Sequence, residues 1–156
     1  MKILYLTALT IVAATISLAP AQSAKNEGAD REKLIGAWHL VHIDSPRPNE
    51  TNKDMPQPAG MLVYTRDGHV SVQLMYPKSQ RDLNNQYVRE GYEASFGTYD
   101  VDEATHRLTH HVQGSNTGDL LVGKDLPRTY QFTGDGRLII GSANADEHWS
   151  VTWRHY

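Results

Sequence analysis

Three residues with the chemistry to hold or convert a small molecule lie in the second half of the chain: His110, Arg128 and Tyr130. The spacing of Arg128 and Tyr130 places a cation and a phenol on one face of a strand, because side chains two residues apart share a face. A guanidinium keeps its charge in proteins, so an arginine inside the fold needs an anionic or strongly polar partner. His110 titrates near neutral pH and could act beside them as a general acid or base. These residues predict a site for a small molecule with an acidic or polar end.

The same residues also have purely structural interpretations. Arg128 could form an ion pair with a carboxylate of the protein itself, or it could point outward from the rim of the fold. The carboxylates that the sequence offers are Asp100, Glu103 and Asp119. His110 could be half-buried and hydrogen-bonded to a neighbouring tyrosine. The sequence leaves these alternatives open.

Metal and cofactor chemistry is not expected, although the chain contains eight histidines. The adjacent His110 and His111 point to opposite faces of a strand, and His106 lies about 13 Å from His110 along it. The sequence has no His-x-His pair and no helical pair of histidines four residues apart. No serine lies in a strand-to-helix elbow that would expose a nucleophile. We therefore predict no metal site, no cofactor and no serine nucleophile.

The elements that must position the candidate residues are eight strand-like runs separated by turn signals. They are Leu34–Ile43, Met61–Thr65, His69–Met75, Phe96–Val101, His106–Val112, Pro127–Phe132, Arg137–Ile140 and His148–Arg154. The polar segment Arg81–Ala94, with its spaced aromatics, is the one plausible helix. The runs follow one another without a long crossover, which predicts an all-β fold: an eight-stranded antiparallel up-and-down barrel with at most one short helix. Eight strands leave room inside for one small ligand.

The alternation of each strand assigns side chains to the barrel interior. In the first hairpin, Asp67-Gly68 predicts a type I′ turn, which pairs Val63 with Val72 and leaves Tyr64 outside. In the second hairpin, a four-residue turn sets Val101 opposite His106 and turns the next alternate residues inward. The predicted ligand-binding residues are Arg128, Tyr130, His110, Tyr99, Trp149, Val63, Val72 and Phe132. If the protein is an enzyme, His110 and Tyr130 are the candidate catalytic residues.

The two ends of the chain predict how the barrel is closed at one end. Gly36 leaves space where the first strand bends, and Trp38 then fills the closed end beneath it. The last strand ends in Arg154, which is expected to pack over Trp38. Gly36, Trp38 and Arg154 are therefore predicted to be structural residues.

Residues 1–24 have the layout of a secretory signal peptide. Lys2 is followed by the apolar run Ile3–Leu18 and by the small residues of Ala19–Ala24. Cleavage is expected near residues 21–24. A polar leader would then span 25–33 and the barrel domain 34–156. With no cysteine to be acylated or oxidised, the chain is expected to be periplasmic or secreted, without a lipid anchor or disulfides.

The net charge and the composition of the leader argue against two classes of partner, nucleic acids and membranes. The formal net charge is −3, and lysine and arginine are scattered rather than grouped in a basic block. Nucleic acid is therefore not an expected partner. Threonine and serine dilute the apolar part of the leader, which is too short for a membrane anchor, so no membrane span is expected. The expected partner is a small lipophilic or aromatic molecule, and the oligomeric state is not predicted.

Six stretches of the chain share their order and spacing with a known family. They are LIGAWHLV, GMLVYTRDGHVSVQLM, GYEASFGTYDVDE, LTHHVQGS, RTYQF and VTWRH. In this order they resemble the bacterial and fungal lipocalin-like domain family, over roughly residues 34–154. The resemblance implies a calycin-type barrel with a small-molecule pocket. The chain departs from classical lipocalins at Thr133-Gly134-Asp135, where they carry Thr-Asp-Tyr, and from closer relatives across Asn116–Val122, where a proline and a tryptophan are frequent.

Three functions are compatible with these features. The first is an exported protein that binds a small, largely apolar ligand with a carboxylate or other polar end inside the barrel. The second is a cofactor-free isomerase, cyclase or lyase in the same pocket, with His110 and Tyr130 as acid–base groups and Arg128 holding the anion. The third is an interaction module with a filled barrel. The sequence offers no paired carboxylates or assured base inside the pocket, which favours binding.

Overall fold

The computed structural model of the protein describes residues 28–44, 57–80 and 85–156. The predicted signal peptide and its cleavage site lie outside the described residues. One helix and eight strands follow in order: α1 (Ala29–Leu34), β1 (Gly36–Asp44), β2 (Ala59–Tyr64), β3 (His69–Met75), β4 (Tyr92–Asp102), β5 (Arg107–Ser115), β6 (Asp125–Phe132), β7 (Leu138–Ser142) and β8 (Ser150–His155). Two short 3₁₀ turns, Lys78–Gln80 and Gly118–Leu120, lie in the connections.

The eight strands form a closed barrel. Each strand pairs antiparallel with the next, and β8 pairs back with β1. The predicted fold class, an eight-stranded antiparallel barrel, is confirmed. The described residues contain one short helix, but it precedes the first strand and does not lie where the sequence predicts it. Alternate residues of the strands, together with Leu34 of α1, form a core of large apolar side chains inside the barrel. The most completely buried of them are Trp38, Tyr64, Leu34, Leu62, Leu108 and Leu138.

The helix predicted over Arg81–Ala94 is wrong within the described residues. The described part from residue 85 to residue 91 consists of bends and one isolated bridge, and β4 already includes the end of the segment. The side chain of Asn85 accepts hydrogen bonds from the backbone N–H groups of Tyr87 and Val88, at 2.7 and 2.9 Å. This local side-chain turn competes with helical hydrogen bonding. Gly91, with φ of 76°, then turns the chain into β4.

The first hairpin has a register one residue away from the predicted one. Tyr64 pairs with Val70 and Leu62 pairs with Val72. Because a shift of one residue exchanges the two faces of a strand, Tyr64 lies inside the barrel and is 1% exposed. Val63 lies on the outer face, so its predicted place in the ligand pocket is wrong. Val72 faces inward, as predicted, and packs against the core.

The turn explains this shift. A type I′ turn needs positive φ at both central residues, but only Gly68, at 91°, is left-handed here, and Asp67 is not. Thr65 and His69 close the loop through a backbone hydrogen bond of 2.9 Å, and Gly68 donates to the carbonyl of Thr65 at 3.2 Å. The result is a type I turn followed by a glycine bulge, and the bulge adds one residue to the loop.

The third hairpin uses the same construction. Thr133 donates its backbone N–H to Arg137 at 2.9 Å, and Gly136 has φ of 80°. In both loops the threonine hydroxyl donates to the aspartate two residues later. The pattern Thr-x-Asp-Gly is therefore the sequence signal for this turn.

The loop of the second hairpin has the predicted four residues but lies one residue later, at 103–106, which shifts the register by two residues. Val101 pairs with Leu108 rather than with His106, and Tyr99 pairs with His110. The carboxylate of Asp102 accepts hydrogen bonds from the loop backbone, and His106 is left-handed with φ of 51°. A shift of two residues preserves the faces, so Tyr99 and His110 still point inward.

Helix α1 lies across one end of the barrel. The indole N–H of Trp38 donates to the carbonyl oxygen of Leu34 at 2.8 Å, and both residues are almost fully buried. The predicted contact of Arg154 with Trp38 is wrong. Arg154 pairs with His39 on the outer face, where its Nε donates to His39 Nε2 at 3.1 Å. The next residue, His155, covers Trp38 instead, with ring centroids 3.6 Å apart.

Position 36 requires glycine for two reasons: the ring of His155 lies close to it, and its backbone has a positive φ. Its φ is 136°, and a Cβ added there would lie 2.5 Å from the ring of His155. We expect Gly36→Ala to lower the free energy of unfolding by about 1–3 kcal/mol, because a side chain at this φ is strained. Gly134→Ala is the matched control, since no heavy atom lies within 4 Å of the added Cβ there. Urea unfolding compares the two variants, and equal stabilities would contradict this role for Gly36.

Candidate functional site

The antiparallel order divides the barrel interior into two ends. The connections β2–β3, β4–β5 and β6–β7 lie at the same end as α1, which we call the helix end. The connections β3–β4, β5–β6 and β7–β8 lie at the opposite end, which we call the loop end. Some of the inward polar residues lie at the helix end and others at the loop end. Only residues at the same end can act together.

Arg128 lies on the inner face of β6 toward the loop end and is 9% exposed. Its guanidinium carbon lies 4.9 Å from the ring centroid of Trp149, at the entry to β8, and 5.4 Å from that of Tyr87 in the β3–β4 connection. Its Nη1 donates to the carbonyl of Pro127 at 3.3 Å. Within the described part of the chain no carboxylate forms an ion pair with it. Two aromatic rings and one backbone oxygen therefore surround a buried cation.

The structural alternatives for Arg128 do not describe this arrangement. The two carboxylates with polar contacts are engaged elsewhere: Asp100 binds His111, and Glu103 accepts from the backbone N–H of Arg31. The third, Asp119, is exposed. Arg128 is also too deeply buried to be a rim residue that points outward.

Glu93 is an interior carboxyl group that the sequence analysis missed. It lies near the start of β4 and pairs with the buried Leu74, which places it on the inner face at the loop end. Burial raises the pKa of Glu93 to about 7, and the charge of Arg128 partly opposes that shift. The sequence pattern predicts a helix over this segment, and a helical periodicity does not place Glu93 on a strand face. Counting back from Tyr99 in steps of two would have found the residue.

His110 is bound to a tyrosine that was predicted to lie outside. Its Nε2 lies 2.7 Å from the hydroxyl oxygen of Tyr64, and both side chains are buried. Burial lowers the pKa of His110 to about 3, and the positive charge of Arg128 acts in the same direction. The imidazole is therefore neutral at physiological pH and is a weak base. The alternative of a buried, tyrosine-bound histidine describes His110 well.

The aromatic residues at the helix end are engaged with the backbone and with α1. Tyr99 donates its hydroxyl to the carbonyl of Thr65 at 3.0 Å, and Tyr130 donates to Asp30 of α1 at 3.3 Å. Burial and the charge of Asp30 raise the pKa of Tyr130. Phe132 packs against Trp38 with ring centroids 6.4 Å apart.

The predicted partnership of Arg128 and Tyr130 at one carboxylate is consequently wrong. The two residues share an inner face, as predicted, but the Tyr130 hydroxyl is directed to the helix end. Arg128 is instead surrounded by the rings of Trp149 and Tyr87. Trp149 was expected from the sequence, whereas Tyr87 was not, because an irregular connection has no periodicity from which to place it.

His111 lies on the outer face, as its alternation with His110 predicts. Its two ring nitrogens contact Asp125 at 2.6 Å and Asp100 at 2.9 Å. These hydrogen bonds raise the pKa of His111. The residue links β4, β5 and β6 on the surface. It takes no part in the interior.

The interior at the loop end can perform two kinds of chemistry. The guanidinium of Arg128 can hold an anion through charge-assisted hydrogen bonds, with apolar surface around it. The carboxyl group of Glu93 can give or take a proton near neutral pH. Among the described residues there is no cluster of three or more metal-ligating side chains, and no helix long and apolar enough to cross a membrane.

The chain was compared with curated proteins and with models of protein families, and only a family model matches it. No curated protein matches the chain. The family model of the lipocalin-like domain matches residues 35–155, which includes every strand of the barrel. The match therefore covers both the Trp38 closure and the Arg128 site. On this evidence the chain belongs to the lipocalin-like domain family.

Proposed function

We propose that this protein binds a small organic acid inside its barrel, with the acidic end of the ligand at Arg128. One observation carries the proposal: a buried guanidinium with aromatic rings against it and no carboxylate in contact within the described chain. Burying a charge that no ion pair neutralises directly is costly, and an anionic ligand in contact with the guanidinium would offset that cost. The Trp149 and Tyr87 rings supply apolar surface beside the anion.

The rest of the ligand is expected to be largely apolar. Leu74 and Ile140 belong to the apolar core, and the partly buried Val72 and Val151 pack against it. A lipocalin-like barrel is suited to small molecules in general. We further propose that the protein is exported, because residues 1–24 have the layout of a signal peptide.

The test compares acids with their uncharged analogues. Medium-chain fatty acids and aromatic acids are titrated into the protein beside their methyl esters, and binding is followed by tryptophan fluorescence and calorimetry. We expect acids to bind more tightly than esters. In Arg128→Leu this preference should be lost, at a cost of about 10- to 100-fold in affinity for acids, because hydrogen bonds to charged groups contribute that much. The affinity for esters should change little.

Arg154→Leu is the matched control, because Arg154 is an exposed arginine on the outer face at the helix end. It should bind acids as the parent protein does. Equal affinity of the parent and Arg128→Leu for acids would contradict the proposal and would make Arg128 a structural residue.

Glu93 favours a second function, that of a cofactor-free isomerase or lyase. A carboxyl group with a pKa of about 7 has the value that suits a general base at neutral pH. In such a reaction Glu93 would take a proton from a carbon next to a carbonyl, and Arg128 would hold the resulting enolate oxygen. His110, with its pKa of about 3, suits that role less.

Deuterium incorporation separates this enzyme from a binding protein. Bound keto acids are incubated with the protein in D₂O, and proton NMR follows the signal of the carbon-bound proton. An enzyme should exchange that proton in the parent protein and lose exchange in Glu93→Gln, while binding persists. A binding protein should show no exchange above the rate of the free acid in either case.

A further inference from the structure

The three tryptophans of the chain differ in the partners of their indole N–H groups. Trp38 donates to the carbonyl of Leu34 at 2.8 Å, and Trp149 donates to the carboxylate of Glu147 at 3.0 Å. The N–H of Trp153 is buried and has no acceptor among the residues that the structure describes. The whole residue is 3% exposed. An unpaired donor at this depth is rare in folded proteins, and each instance needs an explanation.

Trp153 lies inside the barrel, deeper than Arg128. It is on the inner face of β8, paired with Leu40 on one side and Leu138 on the other. Trp149 lies four residues earlier, just before β8 begins, which corresponds to about 13 Å along an extended chain. Because the ring of Trp149 covers Arg128, a ligand held at Arg128 and extending along β8 would reach Trp153.

The chemistry around Trp153 is otherwise apolar. Its strand neighbours Leu40 and Leu138 belong to the core or pack against it, and neither side chain can accept a hydrogen bond. A phenylalanine or leucine would fill such a place without leaving a donor unpaired. The N–H is therefore costly to leave unpaired, and an acceptor brought by a ligand would remove that cost.

We propose that Trp153 is a second polar contact for the ligand, donating its indole N–H to an oxygen in the ligand's apolar part. The inference rests on the proposed function, since Arg128 must first hold the acidic end. It narrows the ligand class from simple organic acids to acids with a carbonyl, ether or hydroxyl oxygen further along the molecule. Keto acids and hydroxy acids of medium length belong to this class.

The indole N–H resonances of the ¹⁵N-labelled protein test this directly. They are assigned with Trp→Phe variants, and the probes are dodecanoate and dodecanoates with a ketone at successive even-numbered carbons. We expect dodecanoate to shift the Trp149 resonance and to leave Trp153 nearly unchanged. At least one keto acid should shift both, with Trp153 moving downfield. Trp38, which is paired with Leu34, is the internal control and should not move.

Affinity gives an independent measure. The keto acid that shifts Trp153 should bind about three- to tenfold more tightly than dodecanoate, which is the effect of one neutral hydrogen bond. In Trp153→Phe this advantage should disappear while both acids still bind. The comparison is made within each protein, so a general loss of affinity through repacking does not affect it. The NMR experiment on the parent protein decides the matter if the variant does not fold.

The outcomes separate the inference from the proposed function. If every keto acid shifts Trp149 but none shifts Trp153, Arg128 holds acids and the second contact is overturned. A keto-acid advantage that is unchanged in Trp153→Phe also overturns it. If no acid shifts Trp149, the proposed function itself fails.

Discussion

Trp38→Ala is expected to lower the free energy of unfolding by about 3–5 kcal/mol, the usual cost of removing a fully buried tryptophan. Trp38 is 1% exposed, and its ring lies between His155 and Phe132 at the helix end. The substitution also leaves the carbonyl of Leu34 without its indole donor. Such a loss is a large part of the stability of an ordinary domain. Urea unfolding followed by circular dichroism measures it.

Trp149→Ala is the matched control, since it removes the same side chain from the half-buried loop end. We expect it to cost less than about 1 kcal/mol, because Trp149 contributes a contact with Arg128 and an exposed hydrogen bond to Glu147 rather than core packing. Similar losses in the two variants would show that the helix end is not the main closure of the barrel.

Glu93→Gln is expected to raise the free energy of unfolding by up to about 3 kcal/mol at pH 8. The folded-state pKa of Glu93 is about 7, against an ordinary value of 4.5, and each unit of difference corresponds to about 1.4 kcal/mol. An ionised carboxylate on the inner face is the cause, because burial disfavours its charge. Glutamine keeps the size of the side chain without that charge.

The sign of the pH dependence follows from the direction of this shift. Because the folded pKa is raised, the folded state binds a proton more tightly than the unfolded chain. The parent protein should therefore lose stability through Glu93 as the pH rises from about 4.5 to 7. The difference between the variant and the parent should be small at pH 4 and largest above pH 7. Urea unfolding of both proteins across this range measures it.

Glu147→Gln is a control of opposite sign. Hydrogen bonds from Ser142 and Trp149 lower the pKa of Glu147, so its contribution is present at neutral pH and is lost on acidification. This substitution should destabilise the protein slightly at pH 8. A Glu93→Gln variant that is no more stable than the parent at pH 8 would show that the Glu93 carboxyl is well solvated.

A carboxyl group that lowers stability is better explained by function than by folding. Residues that are costly to bury are retained where activity or binding requires them. Glu93 shares the loop end with Arg128, whose charge acts on its pKa. This makes Glu93 the first residue to examine if the protein proves to be an enzyme.

Much of the barrel could be predicted from the sequence, because its strands alternate and its turns contain glycine and aspartate. Which side chains of a strand face the barrel interior was harder to predict. Tyr64 lies inside and Val63 outside, the opposite of the prediction, because the first turn contains a glycine bulge. The one added residue shifts the register by one and so exchanges the two faces of the strand. In the second hairpin the predicted register is wrong by two residues, and because a shift of two preserves the faces, Tyr99 and His110 still point inward.

The sequence by itself determined that Arg128, His110 and Tyr99 lie inside an eight-stranded barrel, since alternation is a local property. Only the tertiary structure decided which of them act together. Tyr130 is directed to α1, His110 is bound to Tyr64, and Arg128 is joined by Trp149. These partners come from distant strands and from irregular connections. Whether these side chains come into contact depends on the register of the barrel and on the position of α1, and no local sequence pattern encodes either.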